Sequence, residues 1–332
     1  MEQYLGEYKG KNILITGGAG CIGSNLTKAL INAEAARVIV LDDLSAAEKW
    51  NVPVAPNVTF IEGSVLDEEV LKRTFSQRLD FVFHLAAHFA NQNSVDNPET
   101  DLMVNGLGTL KILEYSHLTG VGKVVFASSG CSVYGSEAPL PLKEDFVSLH
   151  LDTPYQITKL LGELYCNYYY NYYGLPVAIV RYFNVYGPGE IPGAYRNVTP
   201  IFIWTALQGK ALRMLGTGEE TRDFTFVEDT VDGTLRAGVA PEAVGDAFNL
   251  ASETETKIVD LANIVKEITG NTKEIEFAPR RDWDKITRRR ASIEKARKVL
   301  GYEPKVKMKE GIKRVYDWIV ENRSRIETDA RF

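Results

Sequence analysis

The chain has 332 residues, a formal net charge of −6 and a charged fraction of 25%, the values of an ordinary globular protein. The acidic balance argues against nucleic acid as a partner, and the lack of an apolar run of ~18 residues argues against a membrane partner. Three scattered cysteines have neither disulfide nor metal-ligand spacing, and residues 1–11 lack the apolar core of a signal peptide. We therefore expect a cytoplasmic protein without a metal site.

The first predicted unit is a strand, a glycine-rich turn and a helix. An apolar strand at 12–16 runs into Gly-Gly-Ala-Gly-Cys-Ile-Gly at 17–23, and a helix is predicted from Ser24 to about Asn32. Glycines let the backbone approach a pyrophosphate, and a helix N-terminus offers free amide groups and partial positive charge. The unit predicts a dinucleotide site that includes Gly17, Gly20, Cys21, Ile22 and Gly23.

The next strand, 37–41, ends at Asp42, about 20 residues after the glycines, where a carboxylate meets the adenosine ribose in such sites. Asp42 would accept a hydrogen bond from a free 2′-hydroxyl and repel a 2′-phosphate, so NAD is favoured over NADP. A merely solvated turn is the alternative. We include Asp43 and Ser45, in the same turn, in the predicted cofactor site.

Strands and helices continue to alternate along the first half of the chain. This pattern predicts an α/β fold with a Rossmann-type doubly wound parallel sheet, which binds ligands beyond the carboxyl ends of its strands. The predicted strands are 58–61, 81–85, 123–127 and 176–181, and the helices are 68–75 and about 100–118. The residues at those strand ends are Leu85, Ala86 and Ala87, then Ser128 and Ser129, then Tyr182 and Asn184. His88 is expected at the edge of the same pocket.

A helix is also predicted to start at Thr153-Pro154, because threonine caps helices and proline suits the first helical position. Tyr155 and Lys159 then lie on one helix face. A phenol titrates near ~10, but an ammonium group one turn away favours its charged form. The pair therefore predicts a base that takes a proton from a hydroxyl group.

The second half of the chain is predicted to form a smaller, partly interleaved α/β domain. We expect residues 1–185 to form mainly an NAD-binding domain and residues 186–332 mainly a substrate-binding domain, with about 228–255 returning to the first. This half contains Arg222, Arg281, Arg288, Arg289 and Arg290, and arginine suits bidentate contacts with phosphate. Predicted helices are 199–207, 229–240, 258–269, 293–300 and 309–322, and predicted strands are 212–215, 222–227, 248–251 and 275–278.

Five motifs in order resemble the extended short-chain dehydrogenase/reductase family, and within it the NAD-dependent epimerase/dehydratase group that acts on nucleotide sugars. The resemblance runs from about Lys11 to Trp318. Its motifs are the glycine turn at 16–23, His-Leu-Ala-Ala at 84–87, Ser-Ser at 128–129 with Val-Tyr-Gly at 133–135, Tyr155 with Lys159, and Arg-Tyr-Phe-Asn-Val-Tyr-Gly-Pro at 181–188.

The resemblance implies a role for each matching residue. Tyr155 would be the acid/base, Lys159 would lower its pKa and hold the nicotinamide ribose, and Asn105 would position the lysine and a water. Ser64 and Val65 would flank the adenine. The nucleotide-diphosphate sugar would contact Asn184, Asn197, Val198, Leu215, Arg222, Arg281 and Asp284. The family habit also implies a homodimer through a four-helix interface built from the 100–118 helix and the Tyr155 helix; the tyrosine-rich run 165–173 is assigned to packing or to this interface.

One position departs from the family pattern. The catalytic Ser or Thr of the family stands four residues before the tyrosine of Val-Tyr-Gly, and this place is Gly130 here. Either Ser129 or Ser132 could bind the sugar O4, and we favour Ser129.

The resemblance also helps to separate reactions. The group's 4,6-dehydratases carry an Asp-Glu pair at the places of Cys131 and Ser132, and its decarboxylases carry a Glu at Ser132. We therefore predict epimerisation at C4 of a UDP-hexose, UDP-N-acetylhexosamine or UDP-hexuronate through a 4-keto intermediate, with tightly bound NAD regenerated each cycle. A dehydratase, decarboxylase or 4-keto reductase is the alternative.

The identity of the sugar stays open. The residue that sets pocket size in the 4-epimerases aligns near Arg288 or Arg289. An arginine in the pocket would suit an acidic sugar. The alternative is that these arginines face solvent or pair with Asp282 and Asp284.

Overall fold

The computed structural model describes residues 3–329. Its strands are β1 (Asn12–Thr16), β2 (Arg37–Asp42), β3 (Val58–Glu62), β4 (Phe81–His84), β5 (Lys123–Ser129), β6 (Val177–Tyr182), β7 (Arg213–Leu215), β8 (Thr221–Asp223), β9 (Ala247–Leu250), β10 (Glu255–Lys257) and β11 (Glu276–Ala278). Its α-helices are α1 (Cys21–Asn32), α2 (Glu68–Phe75), α3 (Asn91–Asp96), α4 (Pro98–Asp101), α5 (Gly108–Leu118), α6 (Pro154–Tyr173), α7 (Val198–Leu207), α8 (Val227–Val239), α9 (Ile258–Thr269), α10 (Glu294–Leu300), α11 (Met308–Glu321) and α12 (Arg323–Asp329).

Seven strands form one parallel sheet in the order β3-β2-β1-β4-β5-β6-β9. The side chains of β1 alternate between its two faces: Ile13 and Ile15 belong to one apolar core, and Leu14 belongs to the core on the other face. Helices cover both faces, so the predicted Rossmann-type fold is confirmed. The strand order reverses between β1 and β4, which places a ligand crevice beyond their carboxyl ends.

The second half adds two small sheets. Strand β10 pairs antiparallel with β8, and β11 pairs parallel with β7. Strand β9 instead joins the main sheet beside β6, and α8 packs against β5 and β6. If residues 228–255 belong to the first domain, as expected, β9 and α8 should pack on the main sheet, and they do. The division of the chain into two domains stays a prediction.

Several element bounds differ from the predicted ones. Helix α1 begins at Cys21, three residues earlier than predicted, because the glycine turn leads straight into it. The predicted 100–118 helix is interrupted by a π-helical segment, Leu102–Leu107. The predicted strand 222–227 is short, since Val227 already begins α8. Helices α3 and α12 and strand β10 were not predicted.

Within residues 3–329, no helix is both long and apolar enough to cross a membrane.

Candidate active site

A cavity of about 840 Å³ lies beyond the carboxyl ends of the central strands. This volume is within the range of small-molecule and cofactor sites. Its walls come from the glycine turn after β1, the ends of β2, β4, β5 and β6, the start of α6, and loops of the second half. The switch point of the sheet and the two small sheets therefore enclose one continuous space.

The glycine turn is built for close approach of backbone. Gly17 has φ +71°, and a Cβ there would stand 2.7 Å from the backbone N of Ala86. A Cβ at Gly23 would stand 2.5 Å from Gly17 O, so only glycine lets α1 pack against the turn. At Gly20, on the cavity wall, an added Cβ would meet only Gly17 O, at 3.4 Å, which leaves room beside the start of α1. A pyrophosphate fits this combination of open space and a helix N-terminus.

Asp42 ends β2 and lines the same part of the cavity. Its two carboxylate oxygens accept hydrogen bonds from the backbone N–H groups of Ala19 and Leu44, both at 2.9 Å. Burial raises the pKa of the Asp42 carboxyl, and these two amides oppose the shift. The bonds fix the carboxylate beside the glycine turn, where its remaining lone pairs suit a ribose hydroxyl.

Helix α6 carries the candidate base. Thr153 caps it, accepting a hydrogen bond from the Gln156 N–H, and the Gln156 side chain accepts one from the Asp152 N–H at 2.8 Å. A Cβ at Gly162 would stand 2.4 Å from the ring of Phe126, so this glycine lets α6 lie close to β5. Tyr155 and Lys159 consequently both reach the cavity wall.

The predicted lowering of the Tyr155 pKa by Lys159 is wrong for the protein alone. Burial raises the pKa of the Tyr155 phenol well above its usual value, and Asp101 and Cys131 raise it further. Burial also lowers the pKa of Lys159 to about 8. The Lys159 ammonium donates to Ala127 O at 3.0 Å and lies 5.7 Å from the Tyr155 ring centroid.

Asn105 lies behind the wall rather than on it. Its amide Nδ2 donates to the Asp101 carboxylate at 2.8 Å, and its Oδ1 accepts from the His88 N–H at 2.7 Å. Thr158, on α6, donates to the other Asp101 oxygen at 2.7 Å. The π-helical turn places Asn105 in this network of hydrogen bonds. The network reaches Thr158, the residue before Lys159, but not Lys159 itself. Direct positioning of the lysine by Asn105 therefore stays a prediction.

Gly130 has a packing reason to be glycine. A Cβ there would stand 2.1 Å from ring atoms of Phe183, which is fully buried. A serine or threonine therefore does not fit at the place the family uses. Ser129 lines the cavity, whereas Ser132 is fully buried off its wall and lies with its Oγ 2.9 Å from that of Ser129. Ser132 is thus placed to orient Ser129 rather than to touch a ligand.

The second half of the chain contributes the predicted phosphate ligands to the same cavity. Arg222 donates to Asp284 at 3.2 Å, and Arg280 pairs with the same carboxylate at 3.2 Å. Arg281 is exposed, with its guanidinium 5.8 Å from the ring of Trp283. Arg222, Arg281 and Asp284 all lie on the wall, and two of these groups are cations suited to a diphosphate.

Arg288 and Arg289, the two candidates for the residue that sets pocket size, lie in different surroundings. Arg288 is exposed and forms a two-pronged ion pair with Glu255, at 2.9 and 2.6 Å. Arg289 is only 3% exposed and lines the cavity. Neither arginine pairs with Asp282 or Asp284 in the described part of the chain.

Most predicted site residues meet on this one wall. Ser64 does not, since only its neighbours Gly63 and Val65 face the cavity, and Asn105 and Ser132 are set back from it as described above. The predicted residues on the wall are Gly17, Gly20, Cys21, Ile22, Gly23, Asp42, Asp43, Ser45, Val65, Leu85, Ala86, Ala87, His88, Ser129, Tyr155, Lys159, Tyr182, Asn184, Asn197, Val198, Leu215, Arg222, Arg281 and Asp284.

Glu190 was not predicted and lies on the wall. One of its oxygens accepts from the backbone N–H and the side-chain Nδ2 of Asn197, at 3.1 and 2.9 Å. Its other oxygen has no partner in residues 3–329, and burial raises the pKa of the Glu190 carboxyl to about 7. Its loop position carries no sequence signal of burial.

Comparisons with known proteins identify the family of the chain. The family model described as the NAD dependent epimerase/dehydratase family matches residues 13–251. A UDP-glucose 4-epimerase of Mycolicibacterium smegmatis is 37% identical over 308 residues, which are 92% of this chain and 97% of the relative. A UDP-N-acetyl-alpha-D-glucosaminuronate decarboxylase of Bacillus cytotoxicus is 35% identical over 321 residues, covering 94% and 98%.

A solved structure is more similar still. The epimerase Mth375 of Methanothermobacter thermautotrophicus superposes with a TM-score of 0.98 at 53% identity, covering 99% of this chain and 98% of that one. The glycine turn, Asp42 and the Tyr155–Lys159 pair lie inside the region that the family model matches. The chain therefore belongs to the NAD dependent epimerase/dehydratase family and uses NAD as its cofactor.

Proposed function

We propose that this enzyme inverts C4 of a nucleotide-diphosphate sugar, a UDP-hexose, UDP-N-acetylhexosamine or UDP-hexuronate, through a 4-keto intermediate. The proposal is supported by one wall that carries the glycine turn, Tyr155 with Ser129, and two arginines beyond them. A sugar held by its diphosphate at the arginines would reach toward Tyr155. The UDP-glucose 4-epimerase relative supports the same reaction.

Tyr155 takes the proton of the sugar 4-hydroxyl and later returns it. Ser129 is the hydroxyl on the wall that can bind O4, and Ser132 orients it through the 2.9 Å contact. Lys159 is held by Ala127 O on the face of α6 that carries Tyr155. NAD supplies the acceptor and donor of the C4 hydride and brings a positively charged ring that favours the Tyr155 phenolate.

The observation that carries the choice of reaction is the chemistry next to Tyr155. Elimination needs an acid for the leaving hydroxyl and a base for the proton beside the ketone. Beside Tyr155, the segment after β5 contributes Ser128, Ser129 and Cys131 to the wall, and none of these carries a carboxylate. Asp101, the carboxyl that acts on Tyr155, does not line the cavity. An epimerase needs only the reversible base, which is present. The decarboxylase relative supports the rival reaction, which the test must exclude.

A homodimer is part of the proposal. Leu102 on the π-helical turn and Ile157 and Leu164 on α6 are 52%, 54% and 57% exposed. Ile157 and Leu164 are seven residues apart, so they lie on one face of α6. Large apolar side chains in a row on adjacent helices suit burial against a second copy.

The test is NMR of the purified protein with UDP-glucose, UDP-N-acetylglucosamine and UDP-glucuronate, each without added cofactor. Conversion of any of them to its C4 epimer is the expected result, because NAD is returned to its starting state in each cycle. Loss of water or carbon dioxide, or a requirement for added reduced cofactor, would contradict the proposed reaction.

A further inference from the structure

Arg289 is a buried cation at the reacting end of the cavity. Its residue is 3% exposed, and its side chain is on the cavity wall with Ser129, Cys131 and Tyr155. It donates to the carbonyl oxygens of Gly130 at 3.4 Å and Gly135 at 3.2 Å. Those contacts tie its guanidinium to the segment that follows β5, the segment that carries Ser129.

These contacts leave most of the guanidinium unsatisfied. An arginine has five N–H donors, and its two bonds here are long and go to neutral acceptors. Between Gln3 and Asp329, no carboxylate lies within ion-pair distance of Arg289. A buried charge without an opposite charge is costly, and proteins usually pair it.

The neighbouring arginine shows the contrast. Arg288 is exposed, yet Glu255 neutralises it with two hydrogen bonds. Arg289 is buried, and the carboxylates that act on it, Asp284 and Asp152, do so without contact in the described structure, while Arg222 repels it. Among the described residues, the solvent-facing Arg288 thus has a carboxylate partner, whereas the cavity-facing Arg289 has none.

The diphosphate does not account for this cation. Arg222 and Arg281 already provide positive charge for a diphosphate beside Asp284, and Arg222 repels Arg289 rather than pairing with it. Arg289 is bonded instead to Gly130, next to the serine that faces the reacting hydroxyl. A second anion is therefore expected on the sugar itself. In a hexuronate the carboxylate hangs from C5, the neighbour of the reacting C4, so it would lie at this end of the cavity.

We infer that the substrate is a nucleotide-diphosphate hexuronate whose carboxylate pairs with Arg289. The inference rests on the proposed function and specifies its sugar. A carboxylate matches the planar fork of arginine with two parallel hydrogen bonds. Arg289 thus determines specificity, whereas Tyr155 carries the chemistry.

The test compares Arg289→Gln with the matched control Arg288→Gln. For each protein, kcat/KM is measured with UDP-glucuronate and with UDP-glucose. We expect the uronate-to-glucose ratio of the wild type to fall by about 30-fold or more in Arg289→Gln, the loss typical of a broken buried charge pair. Arg288→Gln should keep the wild-type ratio, because its side chain points away from the cavity into an ion pair with Glu255.

Binding provides a second readout that does not depend on turnover. A Tyr155→Phe variant loaded with NAD is titrated calorimetrically with UDP-glucuronate and UDP-glucose, with and without Arg289→Gln. Tighter binding of the uronate that disappears with Arg289→Gln supports the inference. Where Arg289→Gln folds poorly, the titrations of the Tyr155→Phe protein alone still decide, because equal affinity for UDP-glucuronate and UDP-glucose there would overturn the inference.

The outcomes separate the two proposals. Epimerisation of neutral sugars with no preference for the uronate overturns the role of Arg289 and leaves the proposed function standing. Release of carbon dioxide from UDP-glucuronate that is lost in Arg289→Gln supports the role of Arg289 and overturns the proposed reaction. An equal fall of kcat/KM for UDP-glucuronate and UDP-glucose in Arg289→Gln, with normal binding of NAD, also overturns the inference.

Discussion

Restoring the family's serine at position 130 should damage this protein. In Gly130→Ser the new Cβ would stand 2.1 Å from two ring atoms of Phe183, against an ordinary carbon–carbon contact of about 3.5–4 Å. The ring is fully buried and packs against Tyr134, with centroids 6.2 Å apart, so it has little room to retreat. Overpacking of this kind costs about 1–3 kcal/mol and occasionally more. We expect a loss near the upper end, about 3 kcal/mol.

The assay is urea unfolding, with turnover measured in parallel. Gly130 donates its N–H to Tyr182 O at 3.0 Å, so a shift there also moves the end of β5 and with it Ser129. We expect at least a tenfold loss of kcat rather than a gain. Adding Phe183→Val, which removes the clashing atoms, should make the double variant at least about 2 kcal/mol more stable than additivity predicts.

Gly6→Ser is the matched control, because a Cβ at Gly6 meets nothing within 4 Å. Its free energy of unfolding should stay within about 0.5 kcal/mol of wild type. A Gly130→Ser protein that is as stable as wild type and more active would refute the packing explanation for Gly130. The catalytic hydroxyl would then belong at position 130.

Three further predictions concern the base, a buried carboxyl and the dimer. Tyr155→Phe should lower kcat by about 10²–10⁴-fold while NAD and nucleotide sugar still bind, measured by kinetics and calorimetry. Glu190 has a folded-state pKa of about 7 against 4.5 ordinarily, so its contribution to stability is full below about pH 4.5 and is lost as pH rises to about 7. Glu190→Gln, which cannot ionise, should therefore exceed wild type by about 3 kcal/mol at pH 8 and match it near pH 4.5 in urea unfolding. Leu164→Glu should convert a dimer into a folded monomer in light scattering, because it places a charge in the proposed apolar interface.

Each of these has a contradicting outcome. Near wild-type turnover of Tyr155→Phe would remove it from the chemistry. A stability difference between wild type and Glu190→Gln that is the same at both pH values would show that folding does not raise the pKa of Glu190. A monomeric wild type would refute the interface. Leu149→Glu is a control, since Leu149 is 87% exposed and lies outside both helices.

The sequence predicted the parts of the site that depend on local pattern. The glycine turn and Asp42 are read from a fixed spacing within one strand–turn–helix unit, and Tyr155 and Lys159 from one helical turn. The parallel sheet then brings the strand ends together, which is why residues far apart in the chain meet on one wall. The existence of the strands of the main sheet followed from alternation, while exact bounds and the elements α3, α12 and β10 did not.

What could not be predicted depends on contacts between distant segments. The choice of Ser129 over Ser132, and the reason for Gly130, require the position of the Phe183 ring. The choice between Arg288 and Arg289 requires Glu255, which is 33 residues away from Arg288. The sign of the Tyr155 pKa shift was wrong because burial and the nearby Asp101, which spacing does not reveal, both raise that pKa.

The most direct test of the central claim uses a UDP-sugar labelled with deuterium at C4, incubated with the enzyme in ordinary water and followed by NMR. If Tyr155 handles only the hydroxyl proton and the C4 hydrogen moves as a hydride within one site, the epimer keeps its deuterium at C4. Loss of that deuterium to water, or exchange at C5 instead, would contradict the account.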